Sequence, residues 1–191
     1  MYEVSVSMQL TTDSVIFAAI RDGDLKRAVE LLLDTYQDEL YCYCVRLVGA
    51  GHASDVYQRV LGSAISDIHG VQADRSLRIW LFRIARNTVI HHHQGDRRVH
   101  PQALRPDYIP VSGPEEAQGL RLQDEAVERA MDELDPAIRE VLQLSLWHGL
   151  RLREVAAITE RTIADVRSLA TAGLSHVAHR MTHHRGDHLP S

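Results

Sequence analysis

Pro101, Pro106, Pro110 and Pro114 gather four of the chain's six prolines into one short segment, with Gly113 among them. Proline fixes φ and has no backbone N–H to donate, so this stretch cannot carry a helix and is expected to run extended. It divides the 191 residues into two parts, each long enough for one small domain. On both sides apolar residues recur every three or four positions, no β-rich run appears, and only 5% of residues are aromatic. The expected fold is therefore all-α: two small helical domains, residues 1–98 and 120–191, joined by a Pro-rich linker at 99–119. The last ten residues are expected to fray.

The pattern predicts a first helix from about Asp13 to Arg21, closed by Gly23, and a long helix from Leu25 to about Val48 that ends at Gly49-Ala-Gly51. Ser54 reads as the N-cap of a third helix reaching Ile68, and Gly70–Asp74 as a loop. A fourth helix runs from Ser76 to about His93. Beyond the linker, helical pattern covers Glu115 to Asp132, and Asp135-Pro136 starts another helix whose apolar face comprises Ile138, Val141, Leu142 and Leu144 to Trp147. Two more follow, from Leu152 to Ile158 and from Thr162 to Met181.

The fourth helix carries the most chemistry. Leu77, Trp80, Leu81 and Ile84 form an apolar stripe at helical spacing, and Arg78, Arg83, Arg86 and Asn87 project around the rest. Arginine forks match phosphate or guanine, and an asparagine amide can pair with an exposed base edge. The net charge of −5 does not favour nucleic acid, but the charge is uneven. From Arg75 to Arg98 six arginines against Asp96 leave +5, whereas from His100 onward ten arginines against fourteen acids leave −4. A compact basic patch can hold phosphate within an acidic chain. The acidic half is not expected to bind DNA strongly by charge.

Other classes find less support. No run of apolar residues is long enough for a membrane span, and Met1–Thr12 lacks the basic start of a secretion signal, so a cytoplasmic protein with no membrane association is expected. Cys42 and Cys44 stand two apart within a helix, on nearly opposed faces, which suits packing rather than a disulfide or a zinc pair. His91-His92-His93 point in three directions on a helix and cannot converge on a metal, and His179 with His183 reads as a surface coincidence. There is no Gly-rich phosphate loop, nucleophile elbow or catalytic acid pair. The expectation is no enzyme, no metal and no cofactor.

The run Ser76-Leu-Arg-Ile-Trp-Leu-Phe-Arg-Ile-Ala-Arg-Asn87 resembles the promoter-melting helix of extracytoplasmic-function (ECF) sigma factors of the sigma-70 family. The resemblance extends over roughly Asp13 to Arg98 and Leu122 to Arg180. It implies a protein that binds core RNA polymerase, through the β′ clamp helices and the β flap, and promoter DNA, and that is held inactive by an anti-sigma factor. Asp55-Val-Tyr-Gln58 is similar to the family's clamp-binding Asp-Leu-Val-Gln, which implies polymerase contacts at Asp55, Gln58 and Arg59. Arg75, Ser76, Arg78, Trp80, Arg83, Arg86 and Asn87 would hold and read the melted −10 strand. Trp80 suits either a wedge at the melted junction or the core, since it shares the apolar stripe.

Ala130 to Leu144 resembles the family's Leu-Pro-x-x-x-Arg-x-Val-Leu helix, and Gly149 to Ile158 the first helix of a helix-turn-helix. The second would enter the major groove at the −35 element with Arg161, Thr162, Arg167, Ser168 and Thr171. The sequence departs from the family at three places. Arg59 follows Gln58 where the family has glutamate, and Glu160 occupies the turn where it has glycine. Thr162–Met181 offers Arg167 and Arg180 against Asp165 where the family is rich in cations, with Leu169, Ala172 and Leu174 in place of polar residues and Gly173 weakening the helix. These departures, with the acidic second half, support an alternative: a sigma-like decoy that acts through anti-sigma or polymerase contacts rather than promoter recognition.

Overall fold

The structure, a computed structural model, describes residues 2–71, 76–96 and 127–186. Every regular element among them is helical. The chain separates into two compact units that divide between Ile109 and Pro110, within the segment 97–126 that lies outside the described residues together with 72–75.

The first unit holds α1 (Tyr2–Arg21), α2 (Leu25–Val48), α3 (Ala50–Asp67) and α4 (Leu77–Asp96), with a single 3₁₀ turn at Ile68–Gly70. Helix α1 starts eleven residues before the expected Asp13, since no proline or glycine interrupts the chain ahead of it. It closes as expected at Gly23: the Asp24 N–H donates to the Ala19 carbonyl at 3.0 Å and the Gly23 N–H to that of Ile20 at 3.1 Å. Asp24 then caps α2 by accepting from the Arg27 N–H at 3.1 Å. The expected start of α3 at Ser54 is corrected to Ala50. Gly49, at φ 76 and ψ 160, ends α2 and begins α3 within one residue, a conformation open to glycine, so no separate cap is needed.

Tyr36, Leu40, Tyr43 and Cys44 of α2, Val56 and Val60 of α3, and Leu77 and Leu81 of α4 build the core of this unit. Burial pushes the Cys44 thiol up to about 12, while Cys42 on the same helix is exposed, the opposed-face arrangement expected from their spacing.

The second unit comprises a helical segment at 127–132 (α5), α6 (Pro136–Leu142) continued by one π-helical turn at Gln143–Trp147, α7 (Leu152–Thr159) and α8 (Ile163–Gly186). Asp135 caps α6, accepting from the Ala137 N–H at 2.9 Å, with Pro136 in the first turn. Val141, Leu142 and Leu144 are buried as expected, but Leu146 is 54% exposed. The wider π turn, in which the His148 N–H reaches the Gln143 carbonyl at 3.4 Å, shifts the register of the final residues and turns Leu146 outward. Helix α8 continues five residues past the expected end at Met181, through Gly186.

Gly173 explains how α8 packs. A Cβ there would stand 2.6 Å from Ile138 Cγ2 and Leu142 Cδ1 of α6, and 3.0 Å from Leu142 Cγ. The residue that weakens the helix locally is the one that lets the two helices approach.

Candidate nucleic-acid interface

Helix α4 turns a different face to the core from the one its apolar residues suggest. Leu77, Leu81, Ala85 and Val89 are buried at intervals of four, together with Phe82, whose ring meets that of Tyr43 edge-on at 5.1 Å and 69°. Trp80 and Ile84, expected within the stripe, are half-buried at its margin. The drift follows from the helix itself: a repeat of four overshoots the 3.6-residue turn and carries the buried face toward Phe82.

Ser76, Trp80, Arg83 and Asn87 therefore share one outward strip, at helical spacings of four, three and four. Ser76 and Asn87 are exposed, Trp80 and Arg83 half-buried, and Arg86 is half-buried on the flank. A flat indole, a guanidinium and a primary amide in line can stack an unpaired base, hold a phosphate and read a base edge.

Arg78 is used differently. Its Nε donates to Glu39 Oε2 of α2 at 3.0 Å and its Nη2 to Oε1, with the side chain only 15% exposed. Its guanidinium also lies 5.8 Å from the Phe82 ring centre. Arg78 is thus a tie between α2 and α4 and does not lie on the outward strip. A two-pronged, nearly buried ion pair holds its position. Arg75 lies outside the described residues.

The start of α4 is held by a residue sequence reasoning did not single out. Asp13 of α1 is 8% exposed; its Oδ1 accepts from Tyr36 Oη at 2.5 Å and its Oδ2 from the Leu77 backbone N–H at 3.2 Å. Burial raises the Asp13 carboxyl above the usual carboxylate range, against the lowering effect of those two donors. Tyr36 is raised as well, first by burial and then by the bonded carboxylate. The only sequence signal was an aspartate within an otherwise apolar helical pattern.

On α3, Asp55, Gln58 and Arg59 are all exposed and lie on one face at i, i+3 and i+4. Ile65, 47% exposed, continues this face two turns beyond Gln58. The rings of Tyr57 and Tyr41 meet edge-on beside it at 5.6 Å and 85°. Ile65 was legible as an apolar residue out of register with buried Val56, Val60 and Ala64.

In the second unit α7 and α8 form a helix-turn-helix whose turn contains Glu160 in the left-handed region, at φ 57 and ψ 37. The chain adopts the glycine-type turn without the glycine. Thr162 caps α8: its hydroxyl accepts from the Asp165 N–H at 3.1 Å and donates to Asp165 Oδ2 at 2.7 Å. Arg161, Thr162, Arg167, Ser168 and Thr171 are all exposed. The outward line Ala164, Ser168, Thr171 and Ser175 carries no charge, and Thr171 Oγ1 donates back to the Arg167 carbonyl at 2.9 Å. Arg180 pairs with Glu133, which His176 Nε2 also approaches at 3.3 Å. Ile163 and Leu174 are each about half exposed, at 49% and 48%.

The family model for Sigma-70 region 2 matches residues 32–99, the span that includes α3 and α4. The chain is 29% identical over 174 residues to the ECF RNA polymerase sigma-E factor of Escherichia coli K12, covering 85% of this chain and 90% of that protein. Over most of its length this chain is similar to ECF sigma factors of the sigma-70 family. The RNA polymerase sigma-H factor of Pseudomonas aeruginosa is likewise 29% identical, over 82% of this chain and 86% of its own length. Two solved structures share the fold: CnrH in complex with the cytosolic domain of CnrY (TM-score 0.66, 20% identity, 90% of this chain and 97% of that one), and the sigma factor RpoE of Bartonella quintana in complex with the anti-sigma factor NepR (TM-score 0.66, 19% identity, 80% and 96%). Among the described residues no helix is long and apolar enough to cross a membrane.

Proposed function

We propose that the protein is an ECF-type sigma factor: it binds core RNA polymerase and directs promoter-specific initiation by recognising and melting the −10 element. The observation that carries this reading is the outward strip of α4. Trp80 offers a face on which an unstacked base can rest, and Arg83, with Arg86 on the flank, meets the strand's phosphates. Asn87 addresses a base edge. Melting costs unstacking energy, which such contacts offset. Asp55, Gln58 and Arg59 on the exposed face of α3 engage the polymerase clamp, and the role is one of binding and positioning in the cytoplasm, with no cofactor. In this reading residues 1–98 form the region 2-like domain, 99–119 the linker and 120–191 the region 4-like domain. Arg161, Thr162, Arg167, Ser168 and Thr171 are its −35 contacts, few in charge, so promoter use rests mainly on the −10 element. An anti-sigma factor is the expected inhibitory partner, as the complex of RpoE with the anti-sigma factor NepR supports. The similarity to RNA polymerase sigma factors over 85% of this chain supports this reading over that of a decoy.

The test is transcription in vitro with purified core polymerase and a genomic promoter library. Specific transcripts are expected, and Asp55→Ala combined with Gln58→Ala should weaken co-elution with core polymerase by about tenfold. If the wild type shows neither association nor transcripts, the assignment fails.

A further inference from the structure

Asp13 sits at a place where a stability argument alone would not put it. It belongs to α1, yet its carboxylate is buried against the first turn of α4, sixty-four positions along the chain. The first four N–H groups of a helix have no intrahelical acceptor, and local caps supply one from the residue just before. Ser76 does so weakly here, its hydroxyl lying 3.5 Å from the Ile79 N–H. Asp13 answers the Leu77 N–H instead, at 3.2 Å, and its negative charge meets the positive end of the helix. Its other oxygen is held by Tyr36 Oη at 2.5 Å, so the carboxylate cannot swing away. One turn further along α2, Glu39 grips Arg78, the second residue of α4, with both oxygens. Two carboxylates on two other helices thus fix the first turn of α4 in position.

This arrangement is expensive. Both Asp13 oxygens accept, which is what the ionised form provides, while burial disfavours that form. With the folded value raised above the unfolded one, stability falls as pH rises through the interval between them and stays lower at neutral pH. A carboxyl buried at such a cost, with both oxygens held by groups from two other helices, is better explained by the position it imposes than by the stability it adds.

We infer that Asp13, backed by Tyr36, is a positioning residue for DNA reading: it sets the height and angle at which Ser76, Trp80, Arg83 and Asn87 face the melted strand. The inference rests on the proposed function. Trp80 lies one turn from the pinned N–H, so a frayed first turn displaces the stacking surface relative to Asn87, two turns further on, and base selection is lost before phosphate binding.

The test uses the full chain assembled with core polymerase, and the probe is a pool of randomised DNA single strands of about 12 nucleotides. Strands retained by the wild-type holoenzyme are selected, and a scrambled strand of equal composition serves as the control. Asp13→Ala is expected to lower the ratio of selected to scrambled retention about tenfold, with scrambled retention unchanged. In the free protein it should raise amide exchange at Leu77 to Trp80 about tenfold, with Val56 and Val60 of α3 unaffected. Asp13→Asn keeps an acceptor for the Leu77 N–H and an amide for Tyr36 Oη, and should restore selectivity to within about twofold. Unchanged exchange at Leu77 to Trp80 in Asp13→Ala overturns the inference. So does faster exchange with selectivity intact, which would make Asp13 a purely structural cap. If the wild type retains no strand in preference to another, the proposed function itself fails and the inference falls with it, an outcome visible without any variant.

Discussion

Gly173→Ala sets two effects of known size against each other. In an exposed helix the substitution stabilises by about 0.8–1.0 kcal/mol, because alanine loses less backbone freedom on folding. Here the new Cβ would lie 2.6 Å from both Ile138 Cγ2 and Leu142 Cδ1 and 3.0 Å from Leu142 Cγ, where carbons rest comfortably at about 3.5–4.0 Å. Neither neighbour can move easily: Ile138 is β-branched and confined to one rotamer in a helix, and Leu142 is 1% exposed. The relief available is to push α8 away from α6 by about 1 Å, and overpacking of this kind costs about 1–3 kcal/mol. With little freedom to adjust, the upper part of that range applies, and the net expectation is destabilisation by about 1–2 kcal/mol. The chain has two tryptophans, Trp80 in the first unit and Trp147 in the second. In a Trp80→Phe background, urea unfolding followed by Trp147 fluorescence reports on the affected unit. Ile138→Ala removes one of the two closest atoms and should absorb much of the penalty in the double variant, a positive coupling. A higher urea midpoint for Gly173→Ala alone would refute the close-approach account and leave the glycine as a plain helix weakness.

At the helix-turn-helix, Glu160→Gly should stabilise the second unit by about 0.5–1 kcal/mol. The left-handed conformation costs a non-glycine residue about 1–2 kcal/mol, and part of the gain is lost to the freer unfolded chain; a lowered midpoint would mean that the Glu160 side chain contributes more than its backbone costs. A thiol reagent at pH 8 should modify Cys42 at once and Cys44 only on unfolding, since burial pushes the Cys44 thiol up to about 12; equal rates in the native protein would contradict the packing of α2. Arg83→Ala with Arg86→Ala should reduce the salt dependence of holoenzyme binding to a promoter fork by about 0.7 units of slope per lost contact, whereas Asn87→Ala should relax base preference and leave the slope unchanged. Unaltered transcription from a defined promoter in the triple variant would rule out α4 as the reader.

Much of this was open to sequence reasoning because the signals were local. Gly23, Gly49 and Asp135-Pro136 each mark a helix boundary through their own backbone chemistry, and the structure has boundaries at all three. What eluded the sequence was tertiary. Leu77, Trp80, Leu81 and Ile84 share one apolar pattern, and only the packing of the unit, with Phe82 against the ring of Tyr43, leaves Trp80 and Ile84 at the margin. Arg78 reads like Arg83 until Glu39, from another helix, is placed opposite it. Asp13 and Leu77 are far apart in the chain, and no periodicity links an acid in one helix to an N–H in another. Leu146 turns outward through a π turn, which leaves no trace in a pattern counted at 3.6 residues. Gly173 signals weakness in its own helix, and only the neighbouring helix shows that this weakness is the condition for packing α8 on α6.

The two helices proposed to meet the promoter differ in the kind of contact they can make. On α4 the outward strip mixes an aromatic ring, a guanidinium and an amide, so phosphate affinity and base selection reside in the same few residues. On α8 the corresponding outward line is Ala164, Ser168, Thr171 and Ser175; exposed Arg167 stands beside it with Asp165 two residues before, and Arg180 further along is paired with Glu133. Short hydroxyls can hydrogen-bond to a base edge already brought close, but they do not attract a duplex from solution. Affinity at the upstream site must then come from elsewhere. Half-exposed Ile163 and Leu174 on α8 offer apolar surface that nucleic acid does not reward and protein does. Under the proposed function, a second unit of this composition would read DNA effectively only when polymerase already holds it there, and the choice of promoter would fall chiefly to α4 and to the residues that fix its first turn.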